Sequence, residues 1–81
     1  MVYRTSGTCS QLIEIETDGD VVKSVNFVGG CNGNLQGISA LVKDMKIDDV
    51  ISKIKGIKCG MKSTSCPDQL ARALEQIKAG A

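Results

Sequence analysis

The sequence contains no histidine and no tryptophan, a single proline, and only two aromatic residues, Tyr3 and Phe27. Without histidine there is no imidazole to ligate a metal. The usual general base is missing too, which closes Ser-His and Cys-His nucleophile chemistry to a single chain. Two aromatics, with Phe27 expected in the core, leave no platform on which bases could stack. An excess of one charge is also lacking: 10 Lys and Arg stand against 9 Asp and Glu, a net +1. That balance argues against nucleic acid or a membrane surface as the partner. The lysines at 43, 46, 53, 55, 58 and 62 form a mild basic surface, interrupted by Asp44, Asp48 and Asp49. No stretch approaches the roughly 20 apolar residues that span a bilayer, and the residues up to Cys9 hold no apolar run of the secretory kind. The expectation is a cytoplasmic chain, in a compartment where stable disulfides are uncommon.

What the chain does have is four cysteines, Cys9, Cys31, Cys59 and Cys66, in 81 residues. Residues 1–81 read as one domain with one core. At that size burial alone stabilises a fold only marginally, and small domains often add a disulfide set, a metal or an oligomer interface. In a reducing compartment, four cysteines point first to metal or redox chemistry.

Hydrophobic periodicity divides the chain in two. Leu12–Glu16 alternates, with Ile13 and Ile15 on one face and Glu14 and Glu16 on the other; Val21, Val25 and Phe27 share a face of the next segment. Asp18-Gly19 between them is a two-residue hairpin signal, and Val2–Thr5 adds a third, short strand. After Gly29-Gly30 the period becomes helical. Leu35, Ile38, Leu41, Val42 and Met45 form one stripe; Ile47, Val50, Ile51 and Ile54 form a second, with Asp48 and Asp49 in its first turn and Lys53 and Lys55 in its last. Gly56 is the expected stop. Pro67 suits the first position of a third helix, with Leu70, Ala73, Leu74 and Ile77 as its stripe and Gly80 at its end. The Ser63-Thr64-Ser65 run reads as its cap, and Asp68 complements its dipole. The fold class is α+β: an antiparallel sheet of two or three strands, then three helices on one face, in the order ββ(β)ααα.

This order predicts that the cysteines meet. A turn at Asp18-Gly19 pairs Thr17 with Asp20 and, by extension, Cys9 with Val28, three residues before Cys31. The first helix starts at about Cys31 and runs away from that end of the sheet. An antiparallel second helix returns and delivers Cys59, and the third helix begins there with Cys66. Cys31 and Cys66 both fall at helix N-termini, where unpaired backbone N–H groups favour a thiolate, and Lys58 and Lys62 add positive charge. A closed tetrahedron of four thiolates suits zinc, with four-thiolate iron as its chemical competitor.

Asn32, Asn34, Ser65 and Asp68 are the expected supporting residues around the ligands, as hydrogen-bonding and capping groups. Any one cysteine can equally be core packing, since free Cys is among the most buried residue types. Four in Gly- and Ser-rich loops are poorly placed for that role. The run Gly29-Gly30-Cys31-Asn32-Gly33-Asn34 opens a helix as phosphate cradles do, but it lacks the lysine of a G-x-x-x-x-G-K-[ST] loop, so it reads as a turn shaped around Cys31.

Thr64-Ser65-Cys66-Pro67-Asp68, followed by Gln69-Leu70-Ala71, resembles the signature of the TSCPD domain family. Thr8-Cys9, Gly30-Cys31 and Gly56-Ile57-Lys58-Cys59 fall in family order, so the resemblance covers nearly the whole chain. The family includes small four-cysteine proteins and the C-terminal domain of adenosylcobalamin-dependent ribonucleotide reductases. The resemblance implies a cysteine-rich, metal-binding accessory module linked to deoxyribonucleotide synthesis. It does not imply a reductase, because the radical-generating barrel needs several hundred further residues.

The chain also has a weaker similarity to the NifU and IscU kind of iron–sulfur scaffold, whose three cysteine places Cys9, Cys31 and Cys66 match. Where the scaffolds carry Gly-Asp after the first cysteine this chain has Ser10-Gln11. Ser65 stands where they commonly have His, and Cys59 is an added thiol. Those departures favour a closed, stably held ion over a transient cluster. The expected function is therefore a zinc-binding module that docks to a larger protein, such as a ribonucleotide reductase, or to a second copy of itself. An iron–sulfur cluster scaffold or carrier, and a thiol relay through a Cys59–Cys66 disulfide, are the alternatives.

Overall fold

The structure is a computed structural model that describes residues 1–8, 10–30 and 32–80. Three strands, β1 (Val2–Arg4), β2 (Ser10–Asp18) and β3 (Val21–Gly29), precede three helices, α1 (Asn32–Val42), α2 (Ile47–Ile54) and α3 (Cys66–Lys78). The strands form one antiparallel sheet in the order β1-β2-β3, so the α+β class and the element order are those expected from the periodicity.

The hairpin register differs from the expected one. Asp18 pairs with Val21 and Thr17 with Val22, so the two turn residues are Gly19 and Asp20. Gly19 has φ +61 and Asp20 is not among the positive-φ residues. A left-handed glycine in the first turn position is the type II′ arrangement, whose twist matches the flanking strands. Bulges then change the phase twice: Lys23 is the extra residue between the Thr17–Val22 and Glu16–Ser24 pairs, and Gln11 between Leu12–Val28 and Ser10–Gly29. Val28 therefore faces Leu12, not Cys9, whose own placement lies outside the described residues. The bulge at Lys23 also sends Val22 into the core in place of Val21, which is only half-buried.

The core lies between one face of the sheet and the helices. Ile13, Ile15, Val22 and Val25 from the strands meet Val42, Ile47, Val50, Leu70, Ala73 and Leu74. Glu14 and Glu16 point to solvent on the opposite face, as strand alternation requires. Helix α1 packs on β3 and α2 packs on α3. The α2–α3 pair is antiparallel and laced by ion pairs, Lys55 Nζ to Glu75 Oε2 at 2.7 Å and Lys78 to Asp48. Leu41 departs from expectation: it is 76% exposed, because Val42 takes the core-facing place in that turn.

The α1–α2 linker closes over the end of β3. Val22 N–H donates to the Met45 carbonyl (2.8 Å), Asp44 N–H to the Val22 carbonyl (2.7 Å), and Ile47 N–H to the Asp20 carbonyl (2.7 Å). Asp44 reaches this position with φ +68, a conformation that Asp tolerates better than most side chains.

Candidate cysteine site

Helix α3 starts where its sequence says it should. Ser65 is the N-cap; its Oγ accepts from the Asp68 N–H at 3.2 Å and donates to the Ile57 carbonyl at 2.6 Å. Pro67 falls in the first turn, where its missing N–H costs nothing. Cys66 is the first helical residue and is only 6% exposed. Its Sγ lies 3.1 Å from Ser10 Oγ, and Ser10 Oγ lies 3.2 Å from Thr8 Oγ1. Cys66 thus stands at a helix N-terminus with a buried hydroxyl beside its sulfur.

Cys59 stands in the segment between α2 and α3 and is exposed. Its N–H donates to the Thr64 carbonyl (3.2 Å) and its carbonyl accepts from Lys62 N–H (3.0 Å). Cys59 and Cys66 line one open cleft of about 560 Å³. Ser65, Pro67, Ile57 and Lys58 line the same cleft, and its far wall is α1, from Gly33 and Asn34 through Leu35, Ile38 and Leu41. The segment after α2, at Ile57, Lys58 and Cys59, thus lines one cleft with the start of α1.

Two of the four expected ligands, Cys9 and Cys31, lie outside the described residues, as does the side chain of Asn32. Among the described residues no group of three or more Cys, Asp or Glu is placed to hold an ion. What the described chain supplies is two thiols on one cleft, with residues adjoining the other two cysteines in sequence close at hand: Ser10 follows Cys9 and touches Cys66, while Gly33 and Asn34 follow Cys31 and line the cleft. Thiols are the donor type that thiophilic ions take, and among the described residues Cys59 and Cys66 supply two of them to one cleft.

Of the supporting residues, Asn34 is exposed on the cleft wall and Ser65 is the helix cap. Asp68 is buried, at 1% exposure. Its Oδ1 accepts from Gly56 N–H at 2.7 Å; its Oδ2 accepts from the Thr64 hydroxyl and from Arg72 Nε at 3.0 Å. Burial by itself pushes the carboxyl up, but the Thr64 hydroxyl, the Gly56 N–H and the Arg72 charge together outweigh it and hold Asp68 below its ordinary value. Buried Gln69 continues the network, with Nε2 donating to Thr64 Oγ1 (3.0 Å) and Oε1 accepting from Ser6 N–H (3.1 Å).

Ser10, Thr64, Gln69, Arg72 and Ser6 were not expected in these roles. The Asp68–Arg72 pair alone had a sequence signal, the i,i+4 spacing of opposite charges on a helix. The Ser6–Gln69 and Ser10–Cys66 contacts join residues 63 and 56 positions apart, a distance over which local pattern carries no information.

No described helix is long and apolar enough to cross a membrane. The family model of the TSCPD domain matches residues 1–78. No curated protein and no solved structure matches the chain.

Proposed function

The chain belongs to the TSCPD domain family, and from that premise we propose that it is a small accessory module whose four cysteines hold one zinc ion. Cys9, Cys31, Cys59 and Cys66 are the ligands in this reading, and the bound ion supplies a structural cross-link between the sheet, α1 and the α2–α3 segment. The observation that carries it is the shared cleft: Cys59 and Cys66 line it together, and the start of α1 forms the facing wall. Ser10, bonded to Cys66, supports the thiolate. The family resemblance further supports a role beside a larger protein in deoxyribonucleotide synthesis, with a ribonucleotide reductase as the partner.

Elemental analysis of protein expressed in media of defined metal content tests the reading. One zinc per chain and a colourless protein are expected. A brown protein with acid-labile sulfide, purified without oxygen, replaces zinc with an iron–sulfur cluster. Protein without metal that forms a reversible Cys59–Cys66 disulfide replaces both with a thiol relay. Cys31→Ser and Cys66→Ser should each lower the melting temperature of zinc-loaded protein and abolish stoichiometric binding.

A further inference from the structure

The segment from Gly56 to Ser65 that carries Cys59 has no regular secondary structure, yet it is fastened on both sides of the cysteine to the first turn of α3. Before Cys59, Gly56 N–H donates to Asp68 Oδ1 and the Ile57 carbonyl accepts from Ser65 Oγ. After Cys59, the Thr64 hydroxyl donates to Asp68 Oδ2, while the Thr64 carbonyl accepts from the Cys59 N–H. One carboxylate thus joins the two ends of the segment, and Arg72, one turn along α3, holds that carboxylate in place from the other side. Cys59 itself is exposed and gains little from burial, so its position relative to Cys66 depends on these bonds.

We infer that Asp68 is a positioning residue for Cys59, acting on the backbone of the segment that carries the thiol and not on the sulfur. Gly56 and Thr64 are its points of attachment, and Cys66, in the same helical turn, shares its frame. The signature Thr64-Ser65-Cys66-Pro67-Asp68 then has a division of labour: Cys66 supplies a thiol, while Thr64, Ser65 and Asp68 set where a second thiol stands. The geometry of the segment stands on the hydrogen bonds alone; only the consequence for metal affinity rests on the zinc reading.

Amide hydrogen exchange, followed on the purified full-length protein before and after zinc addition, separates the two. In Asp68→Ala the amides of Gly56 and Cys59 should exchange about ten- to a hundredfold faster than in the parent chain, the effect of losing bonds to a buried charge. Those of Val22 and Val50, buried and bonded to the Met45 and Lys46 carbonyls, should follow global stability only. Leu74→Ala, a core control, should accelerate both sets alike. If the Gly56 and Cys59 amides of Asp68→Ala accelerate no more than those of Val22 and Val50, the positioning role is overturned. Asp68→Asn, which keeps one acceptor, carries the same comparison where Asp68→Ala does not fold. Zinc affinity, measured by competition with a chromophoric chelator, should fall about tenfold or more in Asp68→Ala, with Asp68→Asn between. Selective loosening with unchanged zinc affinity overturns Cys59 as the positioned ligand. A parent chain that binds no zinc overturns the zinc reading and leaves the exchange result to decide the latch.

Discussion

Ser10 Oγ and Cys66 Sγ lie 3.1 Å apart, joining the first residue of β2 to the first residue of α3. Both residues are buried, so removing the hydroxyl takes away a partner that water cannot replace. Ser10→Ala should destabilise the chain by about 1 kcal/mol. That corresponds to a fall of about 4–8 °C in melting temperature for a domain of this size. Thermal unfolding followed by circular dichroism checks it; an unchanged melting temperature would mean that the contact contributes nothing net.

The lowered Asp68 carboxyl makes stability depend on acid. Its folded value lies below the ordinary 3.8. Its contribution is therefore fully present above that value and drains away as pH falls through the folded one. Urea unfolding of the parent chain and of Asp68→Asn should show a clear gap at neutral pH, and the gap should narrow as pH falls below 3.8. A gap that is constant or widens in acid would contradict the network.

Gly7 and Gly19 both adopt positive φ, +75 and +61, but differ in what surrounds them. A Cβ at Gly19 meets nothing, whereas one at Gly7 comes within 3.2 Å of Thr64 Cγ2. Both alanine variants bear backbone strain of about 1–2 kcal/mol. Gly7→Ala should cost more, and it should also speed exchange at Cys59 by pressing on Thr64. Equal losses in the two variants, read from urea midpoints, would show that Thr64 moves aside freely.

Leu74 and Leu41 offer a contrast within one residue type. Leu74 is fully buried, and Leu74→Ala should cost about 2–5 kcal/mol. Leu41, one of the residues lining the cysteine cleft, is largely exposed, and Leu41→Ala should stay within about 0.5 kcal/mol. Chemical denaturation of both variants checks the pair.

Strands, helices and their order were legible because each element carries its own period: Ile13 and Ile15 alternate with Glu14 and Glu16, and Leu70, Ala73 and Leu74 recur at helical spacing. Register was not. A single extra residue at Lys23 exchanges Val21 for Val22 in the core, and nothing in the run Val22-Lys23-Ser24 announces a bulge. Leu41 and Val42 are adjacent and both apolar, so composition could not say which of them faced the sheet. At the site, Ser65 as cap was legible from the residues just ahead of Pro67. The buried roles of Thr64 and Gln69 depend on which distant backbone reaches them, and that is decided by the fold as a whole.

The hydrogen bonds from the α1–α2 linker to Asp20 and Val22 have a consequence for solubility and for assembly of the fold. A three-stranded sheet has two open edges, and an open edge is a template for pairing with another chain. At the hairpin end of β3 that template is already occupied: Val22 gives its N–H to Met45 and receives Asp44, and the Asp20 carbonyl receives Ile47. Sheet growth from this end therefore requires the helices to detach first. The same bonds tie the hairpin tip to the junction between two helices, so neither half of the chain completes its backbone hydrogen bonding without the other.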